Sequence, residues 1–173
     1  MKRSELQTAL RAAAQVARDV EFIVIGSQAL HASARRPPAE VLLSQECDLY
    51  PRTRPQTAGL LETQLGRNSA FARRHGFYVD VVTPELATLP EGWEGRLKPF
   101  RAGRVTAFCL EVHDLLASKL AAGRLKDLEF VGAVLKLALA KTPVLRRRIA
   151  NFHLEPDRRK ALLRLRAVLE DLG

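Results

Sequence analysis

The hydrophobic positions of residues 1–34 predict a helix, a buried strand and a second helical segment. Between residues 6 and 17, leucine, alanine and valine recur three or four positions apart, which indicates one apolar helix face. Ser4 is in place to cap the start of this helix. The run 22–25 contains phenylalanine and β-branched residues and ends at Gly26, as is typical of a buried strand. Helical spacing returns over residues 27–34.

Strand and turn signals dominate the next part of the chain. We expect a strand over residues 41–50 and a helix over 57–66 that closes at a glycine. Residues 76–83 alternate between two faces and predict another strand. Residues 96–110 predict a hairpin that turns at Ala102-Gly103.

From residue 112 onward the pattern is helical. Leucine and valine recur at helical spacing, and Gly123 separates two helices. Thr142-Pro143 and Pro156 open two further helices, because proline is well tolerated in a first helical turn. The whole pattern predicts an α/β (α+β) fold with a mixed β-sheet core. We expect residues 1–110 to form this core with its N-terminal helix, and residues 111–173 to form a helical part packed on it as a single compact unit.

Composition and charge narrow the class of protein. The chain has 173 residues, 47% of them hydrophobic and 27% charged, as in an ordinary globular domain, and its formal net charge is +9. Its longest apolar run, 130–140, is interrupted by Lys136 and is too short to span a membrane. No secretory signal is visible, so we expect a cytoplasmic protein in which Cys47 and Cys109 are buried thiols. The positive charge favours polyanionic partners such as nucleic acid or nucleotide phosphates.

Three carboxylates lie in predicted strands. Glu46 and Asp48 are two residues apart, so both project from one strand face, and Asp80 lies among apolar residues in another strand. Adjacent carboxylates repel each other unless a cation is bound, and their oxygen atoms suit Mg²⁺ together with substrate phosphates. Taken alone, Glu46 and Asp48 also fit an exposed strand face, and Asp80 fits a buried salt bridge.

Gly26 and Ser27 lie between a predicted strand and a predicted helix. A glycine there lets a phosphate approach the backbone, and helix N-terminal amides with a serine hydroxyl attract an anion. A tight turn capped by Ser27 explains the same two residues. The order of strand, glycine-serine turn, helix, strand with Glu-x-Asp and strand with a central aspartate resembles the polymerase-β-like nucleotidyltransferase superfamily.

Five stretches extend this resemblance to a little-characterised bacterial branch near the AbiE-type toxin nucleotidyltransferases. They are Gly26 to Ala29, Ser44 to Pro51, Tyr78 to Asp80, Leu89 to Trp93, and Asp114 to Asp127. The resemblance implies two-metal nucleotidyl transfer, in which the glycine-serine turn holds the triphosphate of an NTP. It also implies that Glu46, Asp48 and Asp80 hold two Mg²⁺ ions and are the catalytic carboxylates. Glu46 stands where the superfamily usually has aspartate.

A compact group of charges spans the predicted helix break at Gly123. It consists of Lys119, Arg124, Lys126 and Asp127. We interpret the three cations as nucleotide-binding residues that neutralise phosphate oxygens, and Asp127 as a group that orients one of them. The alternative is a solvated helix face.

The C-terminal helices are strongly basic. Residues 142–166 carry eight lysines and arginines against two acidic residues. A groove for an RNA backbone and a solubilising surface both explain this charge. The candidate nucleic-acid-binding residues are Arg146, Arg147, Arg148, Arg158, Arg159, Arg164 and Arg166. The four histidines have no metal-ligand spacing, and we expect them at the surface or at helix ends.

Together these features predict transfer of a nucleotide from an NTP to an acceptor hydroxyl. The expected acceptor is an RNA 3′ end, such as that of a tRNA, and the protein could act as the toxin of a toxin-antitoxin pair with an antitoxin partner. Two alternatives stay open. One is a catalytically weak member of the fold that binds nucleotide, nucleic acid or a partner protein, and the other is nucleotidyl transfer onto a protein side chain.

Overall fold

Five strands form one mixed sheet in the computed structural model, which describes residues 1–173. The strands are Glu21–Val24 (β1), Glu46–Pro51 (β2), Tyr78–Val81 (β3), Lys98–Ala102 (β4) and Val105–Cys109 (β5). The helices are Arg3–Ala17 (α1), Ala39–Leu43 (α2), Ala58–Leu65 (α3), Ala70–His75 (α4), Val112–Ala122 (α5), Leu125–Lys136 (α6), Thr142–Ala150 (α7) and Glu155–Asp171 (α8). This architecture confirms the predicted α/β fold class. None of the helices is both long enough and apolar enough to span a membrane.

The sheet has the order β3-β2-β1-β5-β4. The central strand β1 runs antiparallel to β2 and parallel to β5, while β2 and β3 are parallel and β4 and β5 form the predicted hairpin. Phe22 and Val24 of β1 are fully buried because the strand is flanked on both sides and covered by helices. The strand therefore ends at a fixed point inside the molecule, next to the middle of β2.

Most of the predicted elements are confirmed in the second half of the chain. Gly103 turns the hairpin and Gly123 ends α5, both with a φ of 68°, a backbone conformation that favours glycine. Pro143 and Pro156 lie in the first turns of α7 and α8. Helix α5 contacts α6, α7 and α8, so it forms the centre of the helical part.

The first half departs from the prediction at three places. The expected strand over 41–50 begins only at Glu46. The residues after Pro38 form the short helix α2 instead, and backbone pairing with β3 starts at Glu46. Helix α4 was not predicted, since six residues are too few to show a helical period; Ser69 caps it and Gly76 ends it. The segment after Gly26 forms a 3₁₀ helix, Ser27–Ala32, rather than an α-helix.

One smaller expectation was also wrong. Helix α1 begins at Arg3, and its start is closed by the Glu5 carboxylate, which accepts a hydrogen bond from the Lys2 backbone, rather than by Ser4. His31 lies at a helix end, as expected, in the last turn of the 3₁₀ helix, but it is buried, with its Nε2 3.0 Å from the Met1 carbonyl. The two cysteines are buried as expected, and burial raises the pKa of Cys109 to about 12.

A buried carboxylate links the strand-rich segment to the C-terminal helices. Asp114 of α5 is fully buried and accepts hydrogen bonds from Arg96 Nε at 2.8 Å and Arg96 Nη2 at 3.0 Å. Arg148 of α7 places its Nε 3.1 Å from the same carboxylate. Arg96 lies just before β4. The three side chains therefore join the segment that leads into β4 with α5 and α7.

We expect Asp114→Ala to lower the free energy of unfolding by about 3 kcal/mol, because removing one member of a buried ion pair leaves the other charges uncompensated. Denaturant unfolding at constant pH measures this change. The matched control is Asp171→Ala, which removes an exposed carboxylate and should change the stability by no more than about 0.5 kcal/mol. Equal, small losses in both variants would contradict a linking role for Asp114.

Candidate active site

The ends of three neighbouring strands border an open cavity of about 500 Å³. Strand β1 leads to Gly26 and Ser27, β2 supplies Glu46 and Asp48, and β3 supplies Asp80. Helix α5 and the start of α6 form the opposite wall. The structure therefore brings together all nine residues that the sequence assigned to catalysis and nucleotide binding: Gly26, Ser27, Glu46, Asp48, Asp80, Lys119, Arg124, Lys126 and Asp127.

The register of β2 and β3 determines which side chains are neighbours. Glu46 pairs with Tyr78 and Asp48 pairs with Asp80 in the parallel ladder. Because alternate residues of a strand share a face, these four side chains lie on one face of the sheet. Burial, followed by the charges of Glu46 and Asp80, raises the pKa of Asp48 from its usual 3.8 to about 6. The charged form of Asp48 is therefore destabilised in the folded protein, and a nearby cation would stabilise it.

Gly26 is required at its position by space rather than by backbone conformation. Its φ is −87°, which any residue adopts. A Cβ added at Gly26 would lie 1.4 Å from the Asp48 carboxylate atom Oδ2. Every larger residue at this position would therefore displace Asp48. Ser27, the next residue, is buried and borders the cavity.

The opposite wall of the cavity carries a second group of charges around a buried carboxylate. Asp127 accepts hydrogen bonds from Lys119 Nζ at 2.9 Å and from Arg124 Nε at 2.7 Å. Burial alone would raise the pKa of Asp127, but these hydrogen bonds outweigh it and lower the pKa. Lys119 Nζ also lies 4.7 Å from the centre of the Phe130 ring. Two cations share one carboxylate, so the wall keeps a net positive charge.

Glu46 is held by partners on both sides. Its Oε1 accepts a hydrogen bond from Lys126 Nζ at 2.9 Å, and its Oε2 accepts one from the Tyr78 hydroxyl at 3.2 Å. Burial alone would raise the pKa of Glu46, but Lys126 and Tyr78 outweigh it and lower the pKa. The Tyr78 hydroxyl in turn accepts a hydrogen bond from Arg67 Nη2 at 2.6 Å. A chain of contacts therefore runs from Arg67 through Tyr78 and Glu46 to Lys126.

The three carboxylates differ in their readiness to bind a metal ion. No three acidic, histidine or cysteine side chains are close enough together to hold one as they stand, because Glu46 faces Lys126 and Tyr78. Asp48 and Asp80 are adjacent oxygen donors without a hydrogen-bonded cation, and burial, followed by the charges of Glu46 and Asp80, raises the pKa of Asp48. This donor chemistry fits a hard divalent cation such as Mg²⁺. Glu46 can join them only when Lys126 releases it.

The seven basic residues predicted to bind nucleic acid do not share one environment. Arg146, Arg147, Arg159 and Arg166 are exposed, and Arg166 Nε donates to Glu170 Oε1 at 2.8 Å. The other three are half-buried and contact groups of the protein, and binding of nucleic acid by all seven stays a prediction. Arg148 contacts the buried Asp114, Arg158 donates to the Phe152 carbonyl at 3.1 Å, and Arg164 Nη1 donates to the carbonyls of Leu120 and Ala121 at 2.7 and 2.6 Å.

Two residues that contact the site were given no role from the sequence. Strand alternation places Tyr78 on the face of Asp80, but it does not show that the Tyr78 hydroxyl donates to Glu46. Arg67 lies between α3 and α4, and only the folded chain brings it to Tyr78. No local pattern in the sequence identifies it.

Comparison with known proteins gives one match. A family model described as "Nucleotidyltransferase of unknown function (DUF6036)" matches residues 4–164. Neither the search of curated proteins nor the search of solved structures returned a match. The matched region includes all the residues that line the cavity described above.

The raised pKa of Asp48 predicts how the stability of the metal-free protein depends on pH. The folded state binds an extra proton between pH 4 and pH 6, so stability should fall as the pH rises through this window. Asp48→Asn removes that loss. Above about pH 7 the variant should be more stable than the wild type by up to about 3 kcal/mol, and the difference should vanish below about pH 4. Denaturant unfolding with a chelator at several pH values measures it, and a difference independent of pH would contradict the assignment.

Proposed function

Because the chain belongs to the family of nucleotidyltransferases of unknown function DUF6036, we propose that it transfers a nucleotide from an NTP to an acceptor hydroxyl. The observation that carries this proposal is the pairing of Asp48 with Asp80 across β2 and β3, at the edge of a cavity whose other wall is cationic. Such a cavity suits a substrate that presents both phosphates and a divalent cation.

The proposed reaction is a single displacement at phosphorus. The acceptor oxygen forms a bond to the α-phosphorus of the NTP, the bond from this phosphorus to the oxygen that bridges to the β-phosphate breaks, and pyrophosphate leaves. The acceptor hydroxyl gives its proton to the Asp80 carboxylate, which releases it to solvent. Asp80 is suited to this role because it is only partly buried and borders the cavity.

Asp48 and Asp80 would hold Mg²⁺, and Glu46 would join them after it leaves Lys126. When bound, two such ions would neutralise charge that develops on the phosphates and would make the acceptor hydroxyl a better nucleophile. This role is supported by the adjacent oxygen donors and by the raised pKa of Asp48.

The triphosphate would lie against the cationic wall. Lys119 and Arg124 are held in place by the buried Asp127, so they are positioned before a ligand arrives. The ammonium group of Lys126 becomes available to a phosphate when it leaves Glu46. Ser27, at the start of the 3₁₀ helix beside Gly26, would supply a hydroxyl to the phosphates. These residues would stabilise the leaving pyrophosphate through their positive charge and hydrogen bonds.

An RNA 3′ end is the acceptor that the exposed arginines of α7 and α8 favour. Arg146, Arg147 and Arg159 would contact a phosphate backbone, together with Arg166, whose Nε also donates to Glu170. Under this proposal the protein could be the toxin of a toxin-antitoxin pair. The alternative is a catalytically weak member of the fold that binds nucleotide or a partner without turnover. Absence of NTP consumption would favour it.

A different cavity favours transfer onto a protein side chain as the second candidate function. It measures about 580 Å³ and shares Ala87 and Thr88 with the cavity described above. Its lining contains no lysine or arginine. It contains four carboxylates, those of Glu85, Glu91, Glu94 and Asp157. An RNA backbone would be repelled there, whereas a basic protein segment would be attracted.

Incubation with Mg²⁺ and each α-labelled NTP, with total RNA or with protein as the acceptor, tests the function. We expect label transfer and pyrophosphate release. We expect Asp80→Asn to lower the rate by about 100-fold or more, because loss of a residue that merely orients a metal ligand already costs up to about 100-fold. Asp171→Asn, with the same change of charge at an exposed site, is the control. Full activity of a folded Asp80→Asn variant would contradict the assignment.

The salt dependence of RNA binding tests the proposed acceptor. Replacing Arg146, Arg147 and Arg159 by glutamine should flatten the plot of log affinity against log salt, by about 0.7 for each arginine that contacts a phosphate. The control replaces Arg35, Arg36 and Arg74, which are also exposed, and should keep the wild-type slope. An unchanged slope in the first variant would assign these arginines to the solvated surface and favour the protein acceptor.

A further inference from the structure

The environment of Glu46 differs from that of the two aspartates. Asp48 and Asp80 lie directly opposite each other, whereas the neighbour of Glu46 on β3 is Tyr78. Glutamate has one more rotatable bond than aspartate, so its carboxylate samples more positions and loses more entropy when a metal ion holds it. A long side chain in this place needs a partner that restricts it before the ligand arrives.

Tyr78 provides such a partner. Its hydroxyl donates to Glu46 Oε2 at 3.2 Å, and the register of the parallel strands keeps the two side chains side by side. Arg67 fixes the tyrosine from the other side, because Nη2 donates to the hydroxyl oxygen at 2.6 Å and the guanidinium carbon lies 5.0 Å from the ring centre. With Arg67 donating to it, the hydroxyl hydrogen is free to point at Glu46.

Lys126 and Tyr78 hold different oxygen atoms of Glu46, and their chemistry differs. Lys126 is a cation whose side chain is 58% exposed, so it can swing into solvent. A divalent cation would repel the ammonium group but not the neutral hydroxyl. Metal entry can therefore exchange Lys126 for the ion at Oε1 while Tyr78 stays on Oε2.

We propose that Tyr78, itself oriented by Arg67, is a positioning residue that holds Glu46 for the divalent cation. The inference rests on the proposed function, in which Glu46 is a metal ligand. Tyr78 contacts neither the substrate nor the metal ion, and it acts only through the Glu46 carboxylate. The Arg67–Tyr78 pair thus compensates for the extra methylene group of Glu46.

Binding of Mn²⁺ to the nucleotide-free protein, followed by electron paramagnetic resonance, tests this role without any turnover. Tyr78→Phe keeps the ring and removes only the hydroxyl. It should weaken Mn²⁺ binding about 10-fold, the lower end of the effect of removing a group that orients a metal ligand. Tyr50→Phe is the matched control, because Tyr50 lies on the same face of β2 and its hydroxyl has no hydrogen bond within the protein. It should bind Mn²⁺ like the wild type.

Kinetics separate positioning from a general loss of structure. Tyr78→Phe should need about 10-fold more Mg²⁺ for half-maximal activity, while kcat at saturating Mg²⁺ and the KM for NTP stay at the wild-type values. A lower kcat at every Mg²⁺ concentration, with an unchanged Mg²⁺ requirement, would overturn the proposal.

A measurement on the unmutated site covers the case in which Tyr78→Phe does not fold. The chain has only two tyrosines, so labelling with 3-fluorotyrosine gives two ¹⁹F resonances, and Tyr50→Phe assigns them. Mg²⁺ should shift the Tyr78 resonance but not that of Tyr50, and Glu46→Gln should abolish the shift. A Tyr78 resonance that does not respond to saturating Mg²⁺ would overturn the proposal.

Asp48→Asn distinguishes failure of this inference from failure of the proposed function. If the wild type binds Mn²⁺, Asp48→Asn does not, and Tyr78→Phe binds as well as the wild type, only the positioning role is wrong. If the wild type and Asp48→Asn bind Mn²⁺ equally, the carboxylate site itself is wrong and the positioning role falls with it.

Discussion

Burial of Asp48 beside two other carboxylates on one face of the sheet is the constraint on which the site depends. The register of β2 and β3 sets Asp48 beside Asp80, and Gly26 leaves just enough room for Asp48 between the strands. Burying like charges is costly unless opposite charges compensate. Lys119 and Lys126 reduce the cost, yet the pKa of Asp48 remains raised to about 6. A bound cation beside Asp48 would stabilise its charged form, as the proposed metal site requires.

The C-terminal helices also support the site indirectly, by holding the turn between α5 and α6 in place. The turn between α5 and α6 carries Arg124 and leads to Lys126 and Asp127, and Arg164 of α8 holds that turn by donating to the last carbonyls of α5. A Cβ at Gly123 would lie 2.0 Å from the Arg164 guanidinium carbon, so the glycine makes room for this contact. Arg164 is thus a basic residue of α8 that supports the cationic wall from inside the protein.

The sequence predicts those parts of the fold and site that depend on local patterns. Strand alternation places Glu46 with Asp48, and the positions of Gly103, Gly123 and the prolines predict the hairpin and the helix boundaries. The contact between Lys126 and Glu46 joins residues 80 positions apart, and the Tyr78 contact needs the strand register, so neither follows from a local pattern. The same limit explains why the half-buried arginines of α7 and α8 could not be told from exposed ones, and why the six-residue helix Ala70–His75 was not predicted.

The most direct test of the account is a crystal structure with Mn²⁺ and a non-hydrolysable NTP analogue, in which anomalous scattering locates the ions. The account predicts Mn²⁺ coordinated by Asp48 and Asp80, with Glu46 released from Lys126 but still bonded to Tyr78, and the phosphates against Lys119 and Arg124. Phosphates bound elsewhere, or Mn²⁺ absent from the Asp48–Asp80 pair while Lys126 stays on Glu46, would contradict it.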